Sequence, residues 1–298
     1  MNKRITAREG KFRLGIIGDL HTHWDNVDVA HFSRSEYDLL FFTGDLGGGS
    51  VDSCLRMARL MAALRQPTLV MPGNNDTVDI NELAAELAHQ RGINNLLSIT
   101  RDEADDFDAD LGISLCGYSH HRVHAEGSEI SLLAARPHSM GGPNLSFPDY
   151  MSQTYGINSL EDSRDRLCSL VDEVESDRLI FLAHNGPLGL GDRPSDIWGC
   201  DFKEGGGDWG DRDLSEAIAH AKSLGKKVLA VIAGHMHLRT KQGDKRPWMM
   251  EIDETIYVNA ALVPRIFAGS DDVYRHHVSL TLGADSIEFE EMLVPEYG

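Results

Sequence analysis

Basic residues are scarce in this chain, which carries 28 Lys and Arg against 47 Asp and Glu, for a formal charge of −19. That balance opposes binding along a nucleic-acid backbone, because neutralising phosphates needs clustered cations. It leaves carboxylates available to bound cations. Cysteine is equally sparse. Cys54, Cys116, Cys168 and Cys200 lie far apart with no C-x-x-C pair, so neither a disulfide framework nor a thiolate zinc site is indicated. No window approaches the roughly 18 apolar residues of a membrane span. The opening "MNKRITAREGKF" has basic residues but lacks the apolar stretch of a signal peptide. These absences predict a cytoplasmic protein that engages neither membrane nor nucleic acid. No internal repeat is present, and the GGG runs are too short to count as low complexity.

What the chain does have is core material. With 298 residues and 41% hydrophobic content it can bury a sizeable interior, and we expect one domain spanning 1–298. "FRLGIIGD" (12–19), "YDLLFFTGD" (37–45) and "PTLVMPGN" (67–74) are apolar runs closed by turn residues, the pattern of interior strands. Helical spacing lies between and after them, at 51–66 and at 79–92, where Asp79 is a candidate N-cap and Gly92 a stop. The same grammar returns: "SLEDSRDRLCSLVDEV" and "DLSEAIAHAKSLG" read as helices, "DRLIFLAHN" (177–185) and "KKVLAVIAGHMH" (226–237) as strands running into loops. "TIYVNAA", "RHHVSLTL" and "SIEFEEMLV" follow as strands, the last two joined as a hairpin through "GAD", and predict a mixed second sheet. Residues 119–156 and 185–211 fit neither period and are expected as long loops. The fold class is α/β.

Chemistry-bearing side chains fall just past the predicted strand ends: Asp19 and His21 in "GDLHTH", Asp45 in "TGDLGGG", Asn74 in "PGNND", His184 in "LAHNGP", and His235 and His237 in "AGHMH". Ligand sites of open α/β sheets lie beyond the carboxyl ends of strands, so these groups have a common edge on which to meet. Carboxylate, imidazole and amide oxygen suit divalent ions such as Mn²⁺, Fe²⁺ or Zn²⁺, and an Asp between two ions can bridge them. In extended chain, residues two apart point the same way, which rationalises the spacing of D-x-H and H-x-H and lets His235 and His237 serve adjacent metals. Each fragment alone is a common turn or a core histidine. Their order and shared placement carry the reading.

That order, D-x-H, G-D, G-N-x-[DE], H, G-H-x-H, resembles the calcineurin-like metallophosphoesterase superfamily across residues 19–237. "LAHNGPLGLGD" and "AGHMH" are similar to a branch found in cyanobacteria and plastid-bearing plants. The resemblance implies a four-layer α/β/β/α sandwich of two mixed sheets with helices outside. It also implies two divalent ions: Asp19, His21 and His237 on one, Asn74, His184 and His235 on the other, and Asp45 between, with Mn²⁺ the ion to try first in vitro. The expected activity is hydrolysis of a phosphate ester, diester or pyrophosphate of small size. A water shared by two such ions loses its proton near neutral pH and attacks phosphorus in line, so no protein nucleophile is required.

One position departs from the pattern. Many relatives have "GNH" where this chain has "GNN", and Asn75 can donate a hydrogen bond to a phosphate but cannot deliver a proton to a leaving group. His23, His120 and His121 are candidate replacements for the acid, and Asn75, Arg122 and Arg265 are candidate phosphate contacts. Gly47–Gly49 either lets backbone approach the metals or forms a plain turn. The 185–211 segment, with Trp198 and Trp209 among many Gly and Asp, reads as a substrate-facing lid offering aromatic surface to an organic group. The alternatives are a nuclease, which the charge disfavours, and a metal-bound scaffold in which Asn75 marks lost catalysis.

Overall fold

The computed structural model describes residues 5–6, 10–76, 113–203 and 206–296. The helix expected at 79–92 lies outside the described residues.

Two mixed sheets face each other. In the first, β2 (Phe12–Ile17), β3 (Leu39–Phe42), β4 (Thr68–Val70) and β5 (Ile113–Leu115) run parallel side by side. β13 (Val273–Leu282) pairs antiparallel with β2, and β12 (Ile266–Ala268) and β14 (Ile287–Pro295) pair antiparallel with β13. In the second sheet, β7 (Ser128–Ala134), β8 (Arg178–Leu182), β9 (Lys227–Ala233) and β11 (Thr255–Asn259) are parallel. β6 (Ser119–Ala125) pairs antiparallel with β7, β1 (Ile5–Thr6) lies parallel beyond it, and β10 (Met249–Ile252) closes the other edge.

The central strands show why apolar runs were needed. Leu39 and Phe41 of β3 enter the core between the sheets, while Leu40 and Phe42 enter the core beneath the helices. β8 does the same, with Ile180 and Leu182 facing one core and Leu179 and Phe181 the other. A strand buried on both faces has no polar side to alternate. Helices α1 (Asn26–Arg34) and α2 (Val51–Met61) cover the first sheet through Phe32, Met57 and Met61. Helices α3 (Pro148–Tyr155), α4 (Leu160–Glu173) and α5 (Arg212–Ser223) cover the second through Met151, Leu167, Leu170, Leu214 and Ala217. The result is the expected α/β/β/α sandwich.

Several expectations change. Residues 119–156 are not one loop, because β6, β7 and α3 all lie there. β6, "SHHRVHA", is histidine-rich, yet from His121 to Ala125 it alternates buried and half-buried positions with the period of a strand. The C-terminal strands do not form a sheet of their own. β11 joins the second sheet and the β13–β14 hairpin, in register from Leu282↔Ile287, joins the first.

Candidate metal centre

Parallel β2, β3 and β4 of one sheet and β8 and β9 of the other deliver their following loops to one edge of the sandwich. The loops are stitched together by their backbones: His21 N–H donates to Asp45 O at 2.8 Å, Thr22 N–H to Leu46 O at 3.0 Å, and Gly234 N–H to His184 O at 2.8 Å. Two glycines allow the approach. A Cβ on Gly73 would lie 2.3 Å from Asp45 Oδ1, and one on Gly234 would lie 2.1 Å from Asp19 Oδ1.

The backbone there is not extended. His21, Thr22, Asp45 and His235 have φ of +42°, +70°, +49° and +65°, in the left-handed region. The strands stop at Ile17 and Ala233, before the motif residues, so the alternation expected for D-x-H and H-x-H does not apply. Tight turns aim these side chains instead. Non-glycine residues held in such conformations cluster at functional sites.

Two groups of donors form. Asp19, His21 and His237 bring ligand atoms within 4.8 Å of one another, and so do Asp45, His184 and His235. His21 Nε2 and His237 Nε2 are 3.0 Å apart. Ligands of one ion with bonds of about 2.1 Å sit roughly 3–3.5 Å apart, so this spacing fits a shared cation. His184 donates Nδ1–H to Thr43 O at 2.7 Å, which turns its Nε2 toward Asn74 Oδ1 at 2.9 Å. An imidazole nitrogen and an amide oxygen this close share either a proton or a cation. His235 Nε2 is buried and has no hydrogen-bond partner among the described residues. These observations fit two divalent ions, one per group, with Asp45 between: its carboxylate lies 3.6 Å from His21 Nε2 and 3.5 Å from His184 Nε2.

The electrostatics agree. Burial is the largest influence on Asp45 and raises its pKa, but His184, His21, His235 and the Asn75 N–H together outweigh it and hold the carboxyl below its ordinary range. Burial, then His184, pushes His235 down to about 3, leaving it neutral, the form that ligates. On His184 burial acts downward, yet Asp45 and Asp19 prevail and raise it, reflecting the same local demand for a cation.

A surrounding shell orients these groups. Asp19 accepts from Thr43 Oγ1 at 2.8 Å and from His235 N–H at 3.0 Å, joining the two sheets through one carboxylate. Asn75 clasps Asp45: its N–H donates to Oδ1 at 2.8 Å and its Nδ2 to Oδ2 at 2.7 Å. Asp76, the last residue of the turn, is buried. It accepts from Gly73 N–H at 2.8 Å and Leu46 N–H at 2.7 Å, so it fastens its own turn to the loop after β3. Burial and the Asp45 charge raise its pKa to about 6.

The remaining predicted residues lie elsewhere. Arg265 is fully buried, donating to Asp28 Oδ1 at 2.8 Å and His23 O at 3.1 Å, and lies over the Trp24 ring, so it is not free to clamp a phosphate. His23 turns Nδ1 to Leu20 O at 3.2 Å within its own loop. His120, His121 and Arg122 sit on β6, whose His121 meets Ser119 Oγ at 3.2 Å, and they are not among the donors that converge. Trp198 is fully buried in the core under the helices, against Tyr257, and offers no surface to a substrate. Gly47–Gly49 leads into Ser50, the N-cap of α2, and serves as a turn.

Some residues were not legible in the sequence. Thr43 binds both Asp19 and His184, although only its place before "GD" hinted at it. His138, buried with φ +56°, meets Gly73 O through Nδ1 at 3.0 Å and so braces the Asn74 turn. Arg136 pairs with Asp211 at 2.9 Å and Asp213 at 2.8 Å, and Asp211 also accepts from Asn185 Nδ2 at 3.2 Å, just after His184.

A four-layer sandwich with paired donor groups at its strand ends supports the general class of metal-dependent phosphoesterases. Residues 12–239 match the family described as calcineurin-like phosphoesterase, and the chain belongs to that family. Such proteins typically use a binuclear centre of divalent ions. No curated protein sequence matches the chain. Among solved structures, one crystal structure is 14% identical with a TM-score of 0.59, covering 94% of this chain and 99% of its own. TT1561 of Thermus thermophilus is 11% identical with a TM-score of 0.52, covering 94% and 98%. At these identities the likeness concerns the fold alone.

Proposed function

We propose that this chain is a two-metal hydrolase of small phosphate esters, diesters or pyrophosphates. The observation that carries the reading is the convergence of two donor groups at one edge, Asp19, His21 and His237 and Asp45, His184 and His235, each with ligand atoms within 4.8 Å, with Asn74 Oδ1 2.9 Å from His184 Nε2. Asp19, His21 and His237 would hold one ion, Asn74, His184 and His235 the other, with Asp45 bridging. When bound, such ions withdraw charge from phosphoryl oxygens and lower the pKa of water. The chain's own part is placement. Thr43 fixes the tautomer of His184 and the angle of Asp19, and Asn75 holds both oxygens of Asp45. Supporting groups of this kind tune ligand basicity.

Asn75 then acts as a positioning residue, and the absent histidine leaves the site best suited to esters that depart without a strong acid. The GNND turn and the fragments "LAHNGPLGLGD" and "AGHMH" favour placing the chain in the cyanobacterial and plant branch. Four free cysteines, three of them buried, suit a reducing cytoplasm. The net charge of −19 disfavours a nuclease.

Protein stripped by chelator and reloaded with Mn²⁺ should regain hydrolysis of an aryl phosphate and bind about two ions per chain by elemental analysis. Absence of metal-dependent turnover across a panel of mono- and diesters would overturn the reading. A stoichiometric protein partner without turnover would point to a scaffold.

A further inference from the structure

Phe202 is the one aromatic among the exposed large apolar side chains of the described residues, at 39% exposure. It stands beside the metal centre, its ring centroid 6.2 Å from that of His235 and 5.8 Å from that of half-buried Trp209. The interplanar angles are 79° and 65°, so neither neighbour lies parallel over the Phe202 ring. Lys203 places its Nζ 5.0 Å over the Trp209 ring. Covering the exposed ring would remove apolar area from water, and an aromatic cover would add the favourable geometry of a ring pair.

The surface is anchored to the metal loops. Trp209 O accepts from Asn185 Nδ2 at 2.9 Å and Gly142 N–H at 3.1 Å, which ties it to the residue following His184. Buried Arg246 donates to His237 O, donates to Gly199 O at 2.6 Å and pairs with Asp201 at 3.2 Å, immediately before Phe202. Asp208 gathers Gly189 N–H at 2.5 Å and Gly210 N–H at 2.7 Å, and Gly199 bridges Asp208. The backbone that carries the aromatic pair is thereby tied to the loops of His184 and His237.

We propose that Phe202, backed by Trp209, seats a planar aromatic group on the alcohol side of the substrate, so that the preferred substrates are phosphate esters bearing such a ring, as nucleotides do. The proposal rests on the phosphoesterase reading. It replaces buried Trp198 with Phe202 as the residue that reads the organic group.

Adenosine 5′-monophosphate and ribose 5-phosphate release the same kind of primary alkoxide, so their comparison isolates the ring. On Mn²⁺-loaded protein the adenosine ester should have kcat/KM larger by on the order of tenfold, the gain lying in KM, as one base–aromatic stack provides. Phe202→Ala should bring the ratio of the two toward unity and Phe202→Tyr should retain it, with unfolding midpoints confirming that both variants fold. Equilibrium dialysis of the same two ligands reads binding without turnover and should show the same preference and its loss. Equal kcat/KM and equal binding in the wild type, or a ratio that Phe202→Ala leaves intact, overturns the aromatic seat while the phosphoesterase reading stands. Failure to hydrolyse either ester with any metal counts against that reading, and the dialysis ratio then decides the seat by itself.

Discussion

At the level of single residues, adjacent asparagines in one turn have separate tasks. Asn74 offers its amide oxygen opposite His184 Nε2, whereas Asn75 points its amide nitrogen at Asp45. Asn74→Ala should lose one ion and cost kcat/KM about 10²-fold or more, since a single Lewis-acidic ion supplies several kcal/mol. Asn75→Ala should keep both ions and cost only about tenfold, the scale of a lost supporting hydrogen bond. Elemental analysis beside the kinetics distinguishes them, and equal metal loss in both variants would refute the division. Asn75→His restores a titratable group and should raise turnover of alkyl esters relative to aryl esters. An unchanged ratio would mean that another group already protonates the leaving oxygen.

Among the elements, α1 is held to the first sheet by charge as well as by Phe32. Asp28 is buried and receives Arg265 Nη1 and Arg275 Nη1, each at 2.8 Å, while Asp25 caps the helix and pairs with Arg275 at 3.0 Å. Removing one member of a buried ion network leaves uncompensated charge, at a cost of roughly 3–5 kcal/mol. Asp28→Ala should lower the urea midpoint accordingly, while the folded fraction keeps its metal content. A midpoint within experimental error of wild type would show that Arg265 and Arg275 find other partners. The tether also explains why Arg265 failed as a phosphate clamp. "VNAALVPR" reveals that an arginine follows a strand, but not that Asp28, far away in sequence, waits to pair with it.

For the molecule as a whole, burial of histidine couples stability to pH. Burial pushes His121, on β6, down to about 3, and it holds His277, packed against Phe32 and Tyr37, well below its ordinary value. These groups remain neutral in the fold but protonate below about 6.5 once the chain unfolds. Between those limits the unfolded state binds more protons, so stability is full above the unfolded value and falls as pH decreases. The slope is about 1.4 kcal/mol per pH unit per group, or roughly 2 kcal/mol for His121 between pH 6.5 and pH 5. Urea melts of wild type and His121→Leu should diverge in that window, the variant losing less. Parallel pH profiles would remove His121 from the account.

The α/β class and the groups at the strand ends were already legible in the order of amino acids, and the family resemblance supplied the four-layer sandwich. Interior strands carry a continuous apolar run because both faces are buried, and a strand end followed by Gly-Asp or Gly-His is visible without coordinates. How those groups are aimed, and which others serve them, was settled by the folded arrangement instead. His21, Asp45 and His235 turn inward through left-handed backbone, a conformation no side-chain spacing encodes. Thr43 and His138 act on residues distant in sequence, and Arg246 joins Gly199 to the loop of His237, so their roles depend on which loops the fold brings together. Trp198 and Phe202 are both aromatic residues of one segment, and packing alone buries the first and leaves the second beside His235.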